Sequence, residues 1–206
     1  MTPANSARAG GQGRGLRVAQ VVSASEGADW LVEIAAGLRD RGHDVCAIVD
    51  AAEGRLSDRL DFLHVPWFAA PLAPEPSSAA RAGPLGFVLQ AWKTLAATVR
   101  LAVLLRRLQV DVVHTHAFRA ILLGRLAARA ARVPIQISMV PGPYHLGAPV
   151  QRALDRLTWR LDDRVVASCE YTRELYLELG IPANRLACIY YGVDPTRFDP
   201  ERAEPH

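Results

Sequence analysis

Three histidines and one tyrosine carry most of the chemistry that this 206-residue chain can offer: His114, His116, Tyr144 and His145. In "VDVVHTHAFR" the strand period of two sets His114 and His116 on one face, and His116 reaches the carboxyl end beside the next helix. A histidine there titrates near neutral pH and can accept or hand on a proton, so His116 is a candidate catalytic residue. A core histidine with satisfied hydrogen bonds is the competing reading, and for His114 the preferred one. Arg119, in the first turn of the following helix, is placed to meet an anion in the same cleft, with a surface arginine as the ordinary alternative.

The run "SMVPGPYHL" stops an apolar segment with two prolines around a glycine. Proline cannot donate to a strand ladder, so Pro141, Gly142 and Pro143 are expected to turn out of the sheet. If the strand is parallel, Tyr144 and His145 then stand past its carboxyl end, where open α/β sheets bind ligands. This makes His145 a second candidate catalytic residue and Gly142 and Tyr144 candidate substrate contacts; a Tyr-His cap over the sheet edge is the alternative. In "SASEGADW", between the first strand and its helix, backbone N–H groups could hold an anion, and Gly27 would let a phosphate approach the backbone closely. Glu26 beside it and the lack of a G-x-G-x-x-G or phosphate-loop pattern argue against a nicotinamide or ATP site. The histidines are not joined to carboxylates or cysteines at metal-ligand spacing, and there is no G-x-S-x-G elbow, so neither a metal centre nor a serine triad is expected.

The elements that must position these residues follow from hydrophobic periodicity. "LRVAQVV", "HDVCAIVD", a short strand around "DFLHVPW", "VDVVHTH", "PIQISMV", "RVVAS" and "RLACIYY" read as strands. Between them "WLVEIAAGLRDRG", a long helix from about Leu85 to Leu108, "FRAILLGRLAARAAR", "RALDRLTWRL" and "EYTRELYLELG" read as helices. The alternation predicts an α/β fold: a doubly wound, mostly parallel, Rossmann-like sheet with helices on both faces. Residues 1–15 read as a flexible leader, 16–192 as the domain, and 193–206 as the start of a linker to another domain. "FAAPLAPEPSSAARAGP" reads as a long surface loop.

Half of the residues are hydrophobic and the net charge is only +3, which excludes a disordered chain and a dedicated nucleic-acid binder. The three cysteines, Cys46, Cys169 and Cys188, occur singly and read as reduced, buried thiols. With no apolar segment in the leader, a cytoplasmic location is expected. Lys93 and Arg100 break the apolar helix short of a membrane span. Lys93, Arg100 and Arg107 recur every seven residues along it, as a solvated face or as a peripheral contact with an anionic membrane.

Four blocks in order, the Gly-containing first loop with "LRDRGHDV", "DVVHTH", "ARVPIQISMVPGP" and "SCEYTRELYLELGIPANRLACIYYGVDPTRFDP", resemble the N-terminal half of the family 4 glycosyltransferases. The resemblance runs from Leu16 onward. It implies one half of a GT-B architecture: a domain that binds a sugar or lipid-linked acceptor and works with a donor-binding domain, in cis or in trans. The donor half of that family holds a nucleotide-diphosphate sugar, and transfer retains the anomeric configuration without a metal or other cofactor. The family's Glu-x7-Glu motif belongs to the donor half; Glu170 and Glu178 share its spacing but fall with Glu174 on one helix face and are not assigned that role. Where family members often carry a histidine in a T-x-H-G-like turn this chain has Pro141, which leaves His145 as the residue that would take its place. The chain alone is expected to transfer no sugar, and a non-enzymatic sugar- or protein-binding module derived from the same fold is the alternative.

Overall fold

The computed structural model describes residues 15–24, 26–72 and 83–192. Most of the leader, the core of the proline-rich loop and the 193–206 segment lie outside the described residues. Seven strands form one sheet: β1 (Arg17–Val22), β2 (Asp44–Val49), β3 (Trp67–Ala69), β4 (Val112–His116), β5 (Ile135–Val140), β6 (Arg164–Ala167) and β7 (Leu186–Cys188). Their spatial order is β3-β2-β1-β4-β5-β6-β7, and every pairing is parallel. The chain moves outward from β1 in one direction and returns to β4 on its other side, so the order reverses between β1 and β4.

Six α-helices connect the strands among the described residues: α1 (Asp29–Asp40), α2 (Arg55–Phe62), α3 (Gly83–Leu108), α4 (Phe118–Ala131), α5 (Pro149–Thr158) and α6 (Glu170–Glu178). Alternation along the strands divides the interior. Val18, Val22, Val45, Ala47 and Val112 pack with Leu31, Val32 and Ala35 of α1 and Leu56 and Leu60 of α2. Ala19, Val21 and Val113 pack on the opposite face with Leu101 and Leu105 of α3 and Leu123 and Ala127 of α4. Being buried on both faces, these strands carry near-continuous aliphatic runs. Helix α4 approaches β4 closely because position 124 is glycine: a Cβ there would come 2.3 Å from Thr115 Cγ2.

The expected strands and helices are present, with four differences. Asp61 and Phe62 belong to the end of α2, a helix not anticipated, and the third strand begins only at Trp67. A helix of eight residues shows barely two turns of periodicity, too few to stand out in sequence. The last strand is short, ending at Cys188, so Tyr190 and Tyr191 leave the sheet. The cysteines are unpaired but only half-buried.

The fourth difference concerns α3. Val88–Leu108, 21 residues with a mean hydropathy of 1.4 in its most apolar window, is long and apolar enough to cross a membrane despite Lys93 and Arg100. Its C-terminal half nevertheless lies in the domain, with Ala97, Leu101, Ala102 and Leu105 in the core.

Candidate active site

Where the strand order reverses, α1 leaves the head of β1 toward one face and α4 leaves the head of β4 toward the other, opening a crevice between them. The floor is polar. His116 is fully enclosed on the last residue of β4, opposite Val22 of β1, and its Nε2 lies 2.6 Å from Gln20 Oε1. The His114 and His116 rings stack obliquely, with centroids 4.2 Å apart. Burial lowers His114 to about 4. His116 is held well below its ordinary value by burial and then by His114. Both are therefore neutral at physiological pH, and His116 bridges the two central strands beneath the crevice; it does not open into it.

Arg119 stands in the first turn of α4, at this reversal point. Its Nη2 donates to the carbonyl of Ser23 past β1 (3.4 Å) and pairs with the carboxylate of Asp50 past β2. One side chain thus ties the heads of three strands. Asp50 also accepts from the backbone N–H of Leu72 (2.6 Å), ordering the exit from β3. Gly27, with φ +68°, and Ala28, with φ +57°, turn the first loop into α1, and space around Gly27 is open. The peptide between β4 and α4 is also unusual: Ala117 adopts φ 66° and ψ 151°, a region almost confined to glycine.

Past β5 the Pro-Gly-Pro turn is as expected, and a 3-10 turn follows over Tyr144–Gly147. Successive side chains on a 3-10 turn point about 120° apart. Tyr144 consequently stands out, 93% exposed, while His145 turns in and is only 6% exposed. The expectation that both project over the cleft is corrected by this geometry. His145 stacks on Phe118, with centroids 4.6 Å apart, and its Nε2 lies 2.9 Å from Asp155 Oδ2. Tyr176 donates to the same oxygen at 2.8 Å.

Those bonds belong to a buried polar chain that the sequence did not reveal. Arg125 of α4, with no exposed surface, donates through Nη1 to Asp155 (2.6 Å) and through Nε to Asp162 (2.8 Å). Asp162 accepts from Ser138 (2.8 Å), whose hydroxyl lies 3.1 Å from that of Thr115. Burial would raise Asp155, but its bonds with His145 and Arg125 outweigh that and bring it down to about 2. Burial pushes Asp162 up to about 6 against the Arg125 charge. For Arg125 burial works against the charge, and the two carboxylates overcome it.

The candidate residues fall into two groups on opposite faces of the sheet. Gly142, Tyr144 and His145, with Ala117, Phe118 and Pro141, line a pocket of about 320 Å³ on the α4 side. His116 lies on the α1 side with Gln20, and Gly27 sits in the loop that leads to α1; neither lines that pocket. Arg119 stands between, at the crevice. A larger hollow of about 770 Å³ lies on the α1 side between Trp30, Met139, Ile189 and Tyr191, and the Trp30 and Tyr191 rings are 5.4 Å apart. Trp30, Met139 and Ile189 were missed because no local pattern marks them, and they meet only where the 189–192 segment returns toward α1. Asp50 and Gln20 were missed because their partners, Arg119 and His116, are far away in sequence. No group of three His, Cys, Asp or Glu side chains fit to hold a metal occurs among the described residues.

A parallel sheet of this order, with its order reversing between β1 and β4, defines a Rossmann-like α/β fold. The sequence matches the glycosyl transferase 4-like domain over residues 27–192, and the chain belongs to that family. Among solved structures it is similar to Anabaena Alr3699/HepE in complex with UDP (TM-score 0.67, 17% identity), covering 90% of this chain and 47% of that one. It is similar also to a glycosyltransferase from Rickettsia africae ESF-5 (TM-score 0.66, 19% identity, 93% and 47% covered). For MurG of Acinetobacter baumannii the TM-score is 0.59 at 15% identity, with 92% and 50% covered. The chain spans about half the length of these structures. No curated protein sequence matches it.

Proposed function

We propose that this chain is the acceptor-binding half of a retaining glycosyltransferase, which takes a sugar from a nucleotide-diphosphate sugar held by a donor-binding half. The observation that carries the reading is the crevice at the β1/β4 reversal, on a chain of the glycosyl transferase 4-like family. Arg119 arrives there already paired with Asp50. A charge-neutral Arg-Asp pair offers donors and acceptors suited to sugar hydroxyls, whereas a diphosphate calls for unpaired cations. HepE is solved with UDP and with UDP-glucose, which favours a nucleotide-sugar donor. The acceptor, a sugar or a lipid-linked sugar, is the part of this reading that a panel of acceptors tests.

His116 and His145 act in this reading as positioning residues, the first fixing the crevice floor and the second fixing the Pro-Gly-Pro loop. Tyr144 and Gly142 offer an aromatic and backbone wall to the acceptor. The test compares the chain alone with the chain supplied with a donor-binding half, using a panel of nucleotide sugars and acceptors. Acceptor binding by the chain alone, turnover only with the donor half, and a loss of roughly 10²-fold in turnover for Arg119→Ala are expected. Turnover by the chain alone, or binding of the nucleotide sugar and not the acceptor, would overturn the assignment. Sugar binding without transfer, even beside a competent donor half, would favour a non-enzymatic binding module.

A further inference from the structure

Helix α3 is far longer than the strands it covers. Twenty-six residues span about 39 Å, whereas the five residues of β4 span about 17 Å. Running antiparallel to β4, α3 ends at that strand's amino edge, and its core contacts begin only at Ala97. The N-terminal half therefore reaches roughly 20 Å past the carboxyl edge of the sheet, the edge that carries the crevice. None of the described side chains from Leu85 to Ala96 is buried.

What this half presents is apolar. Leu85, Val88, Leu89, Trp92, Leu95 and Val99 are all at least 53% exposed, and Val103 continues the row. At 100° per residue the seven fall within an arc of about 120°, a single continuous stripe. Lys93, Arg100 and Arg107 follow one border of the stripe and Arg106 closes its C-terminal end; α3 has no acidic residue. Among the described residues none of these four cations is in an ion pair.

We propose that the exposed stripe of α3 lies on an anionic lipid surface, with its apolar side chains in the headgroup–acyl boundary and Lys93, Arg100 and Arg107 among the lipid phosphates. An apolar stripe with a one-signed basic border is the pattern of interfacial helices. A second copy is a poorer occupant, because a symmetric α3–α3 contact would bring the same cations together with no acid on the helix to answer them. A spanning orientation is excluded for the half of α3 that is built into the core. The inference goes beyond the transfer reading and does not rest on it.

The test is flotation of the full chain with vesicles of phosphatidylcholine alone and of phosphatidylcholine with phosphatidylglycerol. Binding is expected only with phosphatidylglycerol, weakening with added salt and by roughly fivefold for each of Lys93→Gln and Arg100→Gln. Trp92 fluorescence should shift to the blue on binding, read as the difference between wild type and Trp92→Phe. Leu89→Glu with Trp92→Glu should abolish flotation with an unchanged circular dichroism spectrum, since both side chains are exposed. No flotation, or equal binding to neutral vesicles, overturns the proposal. So does a lipid-free wild-type dimer in light scattering that this double variant returns to monomer, which would make the stripe an interface between copies.

Discussion

Tyr144 and His145 are neighbours in sequence with opposite duties, and substitution should separate them. His145→Ala removes a ring stacked on Phe118 and a bond to a buried carboxylate. It is expected to destabilise the domain by about 2 kcal/mol, visible as a lower melting temperature. Tyr144→Ala removes an exposed ring and should leave the melting temperature within about a degree while weakening acceptor binding. Should His145→Ala melt like wild type and Tyr144→Ala melt early, the division is reversed. At this scale the sequence showed where residues stand along the chain's turns better than what they touch. The stop at Pro141-Gly142-Pro143 was legible because proline chemistry is local. The inward turn of His145 was not, since it depends on Asp155 and Tyr176, ten and thirty-one residues away.

The turn from β4 into α4 and the helix it launches carry a strained residue at the start and a buried ion network at the middle, on Arg125. Ala117 occupies backbone space that costs a non-glycine residue on the order of 1–3 kcal/mol. Ala117→Gly should relieve it, with a net gain of about 1 kcal/mol after the greater freedom of glycine in the unfolded chain is counted. The melting temperature should rise by about 2–4 °C. A fall would mean that the conformation is not strained in solution. Arg125→Met leaves Asp155 and Asp162 buried without their cation, and a loss of about 3–5 kcal/mol is expected in denaturant titration; an unchanged midpoint would show that water reaches the site. Most elements were readable from apolar periodicity, α4 and β5 nearly to the residue. The buried arginine was not, because "LLGRLAARAAR" places Arg125 beside Arg129 and Arg132, which are exposed, and only the arrival of α5 beside α4 distinguishes it.

For the whole molecule, acid should act first through the histidines under the crevice. His114 binds its proton at about 4 in the folded domain against 6.5 ordinarily, so the unfolded chain takes up protons before the folded one. The stability this provides is complete above about pH 6.5 and is lost as pH falls toward 4, on the order of 3 kcal/mol for His114 alone. Asp162, raised to about 6 by burial, works the opposite way: its contribution is present below 3.8 and fades as pH rises through 6. The histidine part is isolated by comparing wild type with His114→Gln, whose melting temperature should fall less between pH 7 and pH 4.5. Parallel slopes for the two proteins would remove His114 as the cause. The doubly wound fold was legible from strand and helix alternation alone. The returning 189–192 segment was not, because its course is set by Trp30, far away in sequence. The outermost strands, β3 and β7, are three residues each, against five or six in β1, β2, β4 and β5. A border that short leaves few peptide groups free to template another chain, so fibril growth by edge-to-edge pairing is disfavoured. During expression at high concentration, losses should then come as amorphous, detergent-reversible aggregates and not as thioflavin-positive ones.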